Sequence, residues 1–268
     1  MKIKSLSTLL AILGCSVSLG ATTTITDFSG LLGGTPQDGI SLSGTQASAT
    51  STGGLSLNNG SLDFTMTGAT NRPGIASGNQ FSVALTFDLS TLNSATGSTL
   101  FSAQFGGGGA FNGLFGAQYK DGGVHFGYWG TSQTNGSYST TDPVISVTGN
   151  TGNLSIVWSK NSENKVGLDV YLNDTKIGSV LSSGGLTFSG KVLDHLFVGG
   201  KGTTNTGNIT NGFSSSSSLT LEGMQIVEGG VMDDTAFQNY YGKLVPEPAT
   251  ASLSLLGLSV LMLRRRRA

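Results

Sequence analysis

The sequence predicts an all-β fold, an antiparallel β-sandwich with one short helix, and three observations carry that prediction. Runs of alternating apolar and polar residues recur at intervals of about ten residues. Glycine, asparagine and serine separate the runs, and the chain holds 42 glycines in 268 residues. Only one internal stretch has apolar residues at helical spacing. Successive side chains of a strand point to opposite faces, so alternation is the pattern of a sheet with one buried face. Many short strands joined by glycine-rich turns close into a sandwich or barrel. A single domain over residues 22–243 is expected, long enough to bury its own core.

In chain order, the first strands are Thr22 to Phe28 and Ser61 to Thr67. Gln80 to Leu89 alternates most cleanly: Phe81, Val83, Leu85, Phe87 and Leu89 share one face, and Ser82, Ala84, Thr86 and Asp88 the other. Thr99 to Phe105, Gly113 to Lys120 and Val124 to Trp129 repeat the pattern. Asn153 to Lys160 places Leu154, Ile156 and Trp158 together, making Trp158 a core residue; Lys165 to Leu172 does the same with Val166, Leu168, Val170 and Leu172. Asn173-Asp174 is a two-residue hairpin signal leading into Thr175 to Leu181. Val192 to Gly199 and Leu219 to Val227 complete the strands, with Ser214 to Ser218 read as a flexible loop. The helix lies near residues 232–241. Asp233 and Asp234 suit its cap and first turn, Phe237, Tyr240 and Tyr241 recur at helical spacing, and Gly242 is expected to end it.

The later elements resemble the laminin-G or concanavalin-A-like jelly roll. The matching residues are Asn153 to Lys160, the polar turn Asn161 to Asn164, and Lys165 to Val180, with Asp174 or Thr175 where that family has its turn glycine. Leu196-Phe197-Val198-Gly199-Gly200 is similar to a strand end of the family, and Glu222 to Val227 followed by Asp233-Asp234 to its closing segment. The similarity covers about half the exported chain and implies the sandwich. It does not imply one function, because the fold hosts lectins, hydrolases and inert spacers.

The two termini carry addresses. Lys2 and Lys4, the apolar stretch Leu6 to Leu19 and the small residues Ser18 and Gly20 form a secretory signal peptide over residues 1–20, with cleavage after Gly20 or Ala21. Ile12-Leu13-Gly14-Cys15 loosely resembles a lipobox; its use would make Cys15 a lipidated first residue, although leucine before the glycine fits poorly. Cys15 is the only cysteine, so cleavage after Gly20 leaves a chain without thiol or disulfide. At the other end, residues 245–268 hold Pro246-Glu247-Pro248, an uncharged apolar stretch over 249–263, and Arg264, Arg265, Arg266 and Arg267. The prolines keep the chain extended. As a helix the apolar stretch reaches ~22 Å, short of the ~30 Å hydrocarbon core unless the arginines snorkel. Those arginines are expected to stay cytoplasmic, leaving the domain outside.

This three-part tail resembles the PEP-CTERM sorting signal of Gram-negative, biofilm-forming bacteria. The resemblance implies an exosortase as processing partner, cutting near Pro246 to Pro248, with the inner membrane as an intermediate station and the cell surface, outer membrane or extracellular matrix as destination. An ordinary C-terminal membrane anchor is the plainer reading of the same residues.

Composition excludes some functions. The formal net charge is −1 and 11% of residues are charged, with the arginine run taking a share of the positives, so no nucleic acid is expected as partner. Concanavalin-A-like glycosidases resemble one another in an E-x-D-x-x-E strand that sets two carboxylates ~5–5.5 Å apart. None of Glu163, Glu222, Glu228 and Glu247 stands in such a run, and Glu222 and Glu228 on one strand would be roughly 20 Å apart. His125 and His195 lack metal-ligand spacing; His195 reads as a surface or satisfied core residue. Gly106 to Gly109 precedes no helix and is read as a turn or bulge, not a phosphate loop. No catalytic residue and no obligatory cofactor are expected. Calcium is the possible exception, through Asp121, Asp142, Asp169 or Asp174. A glycan-binding face is expected to need exposed aromatics beside hydrogen-bonding side chains, and Tyr128, Trp129, His125 and Asp121 are the best stretch for it.

The expected function is that of an exported surface or matrix protein with a structural or adhesive, non-catalytic role beside extracellular polysaccharide. A lectin-like carbohydrate-binding module is the alternative, and a glycoside hydrolase or lyase a third.

Overall fold

The computed structural model describes residues 21–44, 46–66, 75, 79–106, 114–129, 144–185, 192–200 and 217–245. Residues 1–20 and 246–268, where the two terminal addresses are expected, lie outside that set, as do Asp142 and most of the serine run. Among the described residues no helix is long and apolar enough to cross a membrane.

Among the described residues fifteen strands and two α-helices follow in chain order: β1 Thr22–Ile25, α1 Ser29–Leu32, β2 Ile40–Gly44, β3 Ala47–Ala49, β4 Leu55–Gly60, β5 Leu62–Met66, β6 Phe81–Asp88, β7 Ser98–Gly106, β8 Leu114–Lys120, β9 Gly123–Trp129, β10 Val144–Ser146, β11 Asn153–Lys160, β12 Lys165–Leu172, β13 Thr175–Gly185, β14 Val192–Val198, β15 Ser217–Glu228 and α2 Asp234–Leu244. They build two antiparallel sheets, a β-sandwich of jelly-roll type. The eight-stranded sheet runs β13-β12-β11-β6-β15-β4-β3, with β1 paired to β15 as well; the seven-stranded sheet runs β10-β9-β8-β7-β14-β5-β2.

The strongly alternating segments lie where their pattern puts them. β11 and β12 keep the expected bounds and pair Leu154 with Leu172 through Lys160 with Val166. Asn173 turns the chain into β13 with a φ of +55°, the left-handed conformation that asparagine tolerates in a tight hairpin. Between the sheets the apolar faces interlock. Trp158 is fully buried, stacked on Phe101 at 5.5 Å and met edge-on by Phe81 and Phe105.

Several expectations need correction. The edge strands β2, β3 and β10 escaped the sequence reading because they are short and bury few side chains, and β4, an inner strand, because its alternation breaks at Asn58-Asn59. A second helix, α1, packs Leu31 inward. Ser217 and Ser218 belong to β15, which starts inside the supposed loop. The closing helix does not stop at Gly242 but runs to Leu244, because Leu244 packs against the backbone of Gly223, where no side chain stands in its way.

That closing helix also changes the eight-stranded sheet. In β6 both faces are buried, including Ser82, Ala84 and Thr86. α2 lies across the outer face and covers Ala84, Val157, Tyr171 and Val227 with Phe237 and Tyr240. Asp233 caps it, its carboxylate accepting from the Ala236 amide at 2.7 Å. Tyr171 stacks on Phe237 with centroids 3.7 Å apart and donates from its hydroxyl to Asp234 at 2.7 Å. The polar residues on this face are satisfied beneath the helix: Ser82 Oγ accepts from the Met232 amide at 2.8 Å.

Candidate functional site

A groove opens at one end of the sandwich, where the chain leaves β6 for β7. The segment Leu89 to Gly97 is rich in short polar residues that hydrogen-bond their own backbone and so favour turns over strands. Asp88 starts it: its carboxylate accepts from Ser90 N at 2.9 Å and Ser90 Oγ at 2.7 Å, winding Leu89–Thr91 into one 3-10 turn. Asn93 then builds a second turn, Oδ1 accepting from Ala95 N at 3.0 Å and Thr96 N at 3.1 Å.

Three neighbours hold this segment from outside. Thr91 Oγ1 donates to the Asp88 carbonyl at 2.8 Å and accepts from Thr220 N of β15 at 2.8 Å. The Ser94 carbonyl accepts from Asp121 N, in the β8–β9 turn, at 2.9 Å. Leu89 N donates to Gly152 O, in the loop before β11, at 2.9 Å. The enclosed space is about 740 Å³, a volume that suits a small ligand. Its walls carry Asn59, Ser94, Thr96, Asn150 and Thr151, and the buried Tyr119 and Leu89 contribute apolar surface. No lining residue carries a carboxylate, ammonium, guanidinium or imidazole, so the walls offer hydrogen bonds and contact.

The proposed glycan-binding stretch is distributed differently. Asp121 occupies the β8–β9 turn with a φ of +52°, exposed and beside this groove through its amide. His125 is half-buried, its Nε2 3.2 Å from the Lys120 carbonyl, while Phe126 is core. Trp129 ends the same strand, eight residues on from Asp121, roughly 26 Å away along an extended chain. The side chains of Tyr128 and Trp129 lie outside the described residues. The turn and the far end of β9 therefore cannot meet in one small pocket. Pro246, Glu247, Pro248 and Arg264 to Arg267 also lie outside the described residues.

His195 has a partner that sequence spacing could not show. Its Nδ1 lies 2.9 and 3.1 Å from the two carboxylate oxygens of Asp63 on β5, and its ring stacks on Phe197. The bond to Asp63 raises the histidine pKa, against the opposing effect of burial. Burial raises neighbouring Asp194. Glu222 is likewise raised, first by burial and then by the charge of Asp88, whose carboxylate is engaged by Ser90.

Two of the calcium candidates have other partners. Asp169 pairs with Lys176 at 3.0 Å, and Asp174 accepts from Thr175 Oγ1 at 3.1 Å. Among the described residues no three His, Cys, Asp or Glu side chains cluster as a metal site would require.

No family model matches the sequence, and no curated protein matches it. Solved structures do. A Trypanosoma rangeli sialidase, captured as a covalent intermediate with difluorosialic acid, superposes with a TM-score of 0.50 at 11% identity, over 84% of this chain and 33% of that one. A protein of unknown function from Shewanella oneidensis MR-1 gives 0.49 at 13% identity, over 79% and 88%. The binding domain of botulinum neurotoxin DC gives 0.47 at 9% identity, over 77% and 47%. The chain thus spans about a third of the sialidase and about half of the toxin chain. At such identity the sialidase likeness shows a shared β-sandwich and nothing of activity.

Proposed function

We propose that this chain is an exported cell-surface or extracellular-matrix protein of a Gram-negative bacterium, delivered through its PEP-CTERM-like tail, with a non-catalytic structural or adhesive role. The observation that supports the tail as a processing substrate is where the folded domain lets go of the chain. α2 is clamped on the sheet to Leu244, and Val245, the next residue, is exposed. Pro246-Glu247-Pro248 follows at once in the sequence.

The test is expression in a host with and without an exosortase, with the C-terminus identified by mass spectrometry. The wild-type chain should lose Arg264 to Arg267 and reach the surface only when the exosortase is present. The P246A/E247A/P248A variant should keep its tail and accumulate in the inner membrane. Equal processing of both chains would overturn the assignment.

A carbohydrate-binding role for the sandwich is the second reading, supported by the uncharged groove of amide and hydroxyl side chains. Glycan-array binding, run with calcium and then with chelator, tests it.

A further inference from the structure

We propose that the groove between the β6–β7 segment and the β10–β11 loop is a binding site for an uncharged oligosaccharide, an assignment that rests on the carbohydrate-binding reading. Three features support it together.

The first is rigidity. Most small polar loops adapt to a ligand and lose entropy in doing so. Here the wall is already fixed, by the Asp88 and Asn93 turns from within and by Thr220, Asp121 and Gly152 from outside. Asn93 N is also held, donating to Ser98 Oγ at 2.8 Å. The bonds that shape the wall use Asp88, Thr91 and the Asn93 carbonyl oxygen, so they leave Ser94, Thr96, Asn150 and Thr151 on the groove surface.

The second is chemistry. Sugar hydroxyls both donate and accept, and so do hydroxyl and amide side chains. Tyr119 and Leu89 are nearly buried and add only a small apolar floor, so recognition rests on the hydroxyl and amide side chains.

The third is charge. None of the lining side chains is cationic, as capture of a uronate, sulfate or phosphate would require. The acidic neighbours Asp88 and Asp121 stand behind the wall and disfavour an anion. The volume of about 740 Å³ lies toward the upper part of the usual range for small-molecule sites, which suits several sugar units over one.

The experiment uses the full purified chain, with affinity electrophoresis through gels containing dextran, galactomannan or alginate. Thr96→Trp and Asn150→Trp replace exposed side chains and fill the groove without touching the core. Thr151→Ala combined with Ser94→Ala removes wall groups without adding volume, so it remains informative if a tryptophan variant misfolds. The wild-type chain should be retarded by a neutral polysaccharide and not by alginate. Each variant should bind at least about tenfold more weakly at unchanged Tm. Retention of both variant types at wild-type strength would place binding elsewhere and overturn the groove, leaving the carbohydrate reading intact. Preferential retardation by alginate would overturn the uncharged ligand class. Failure of the wild-type chain on every polysaccharide would overturn the site and the carbohydrate reading together, while the sorting assignment would stand on its own test.

Discussion

The hydroxyl of Tyr240 lies 3.1 Å from Thr86 Oγ1, which in turn lies 2.8 Å from Ser155 Oγ. All three groups are buried in the seam between α2 and the eight-stranded sheet. The helix thus joins the sheet through a hydrogen-bonded chain as well as by ring packing.

Removing that hydroxyl should cost little and removing the ring a great deal. Tyr240→Phe leaves Thr86 and Ser155 paired with each other, so about 1 kcal/mol is expected. Tyr240→Ala opens a cavity under the helix and should cost about 3–5 kcal/mol. Urea unfolding measures both; limited proteolysis near Val245 should accelerate in the alanine variant alone.

Trp158 should be the most sensitive core position. It fills the space between the sheets against Phe81, Phe101 and Phe105. Trp158→Ala is expected to lose about 3–5 kcal/mol, and Trp158→Phe less, by thermal or urea denaturation.

Two ion pairs make stability depend on pH in opposite senses. His195 is raised above 6.5 by Asp63, so its contribution is complete below that value and lost as pH rises through the folded pKa. Asp63→Asn should abolish this alkaline loss, a difference of at most about 1 kcal/mol. Asp234 is lowered below 3.8 by bonds from Lys176 and Tyr171, so its contribution is present above 3.8 and lost as pH falls through the depressed value. Asp234→Asn should flatten the acid limb and leave the alkaline one unchanged. A Tm series from pH 2 to 9 reads both.

Part of this molecule was legible because its signals are local. Alternation in Phe81 to Asp88, Asn153 to Lys160 and Lys165 to Leu172 reflects a sheet face that each segment presents by itself, and Asn173-Asp174 makes its turn with its own dihedrals. The cap at Asp233 is equally local. Trp158 was placed in the core from its register with Leu154 and Ile156 alone, and it is there.

Other features exist only because distant segments meet. Ser82 and Thr86 alternate as surface residues would, yet they are buried, since α2 arrives some 150 positions later to cover them. Asp63 meets His195 across a strand pair separated by 132 residues. The groove has no motif: its wall comes from Asp88 to Gly97, and its braces are Gly152 and Thr220, brought alongside by pairing of β6 with β11 and β15, and Asp121, brought by pairing of β7 with β8. Local stereochemistry therefore determined the strongly alternating strands and their turns. Long-range pairing decided which polar residues are covered and where the sandwich can hold a ligand, because burial and cavity shape belong to the assembled sheets and to no single segment.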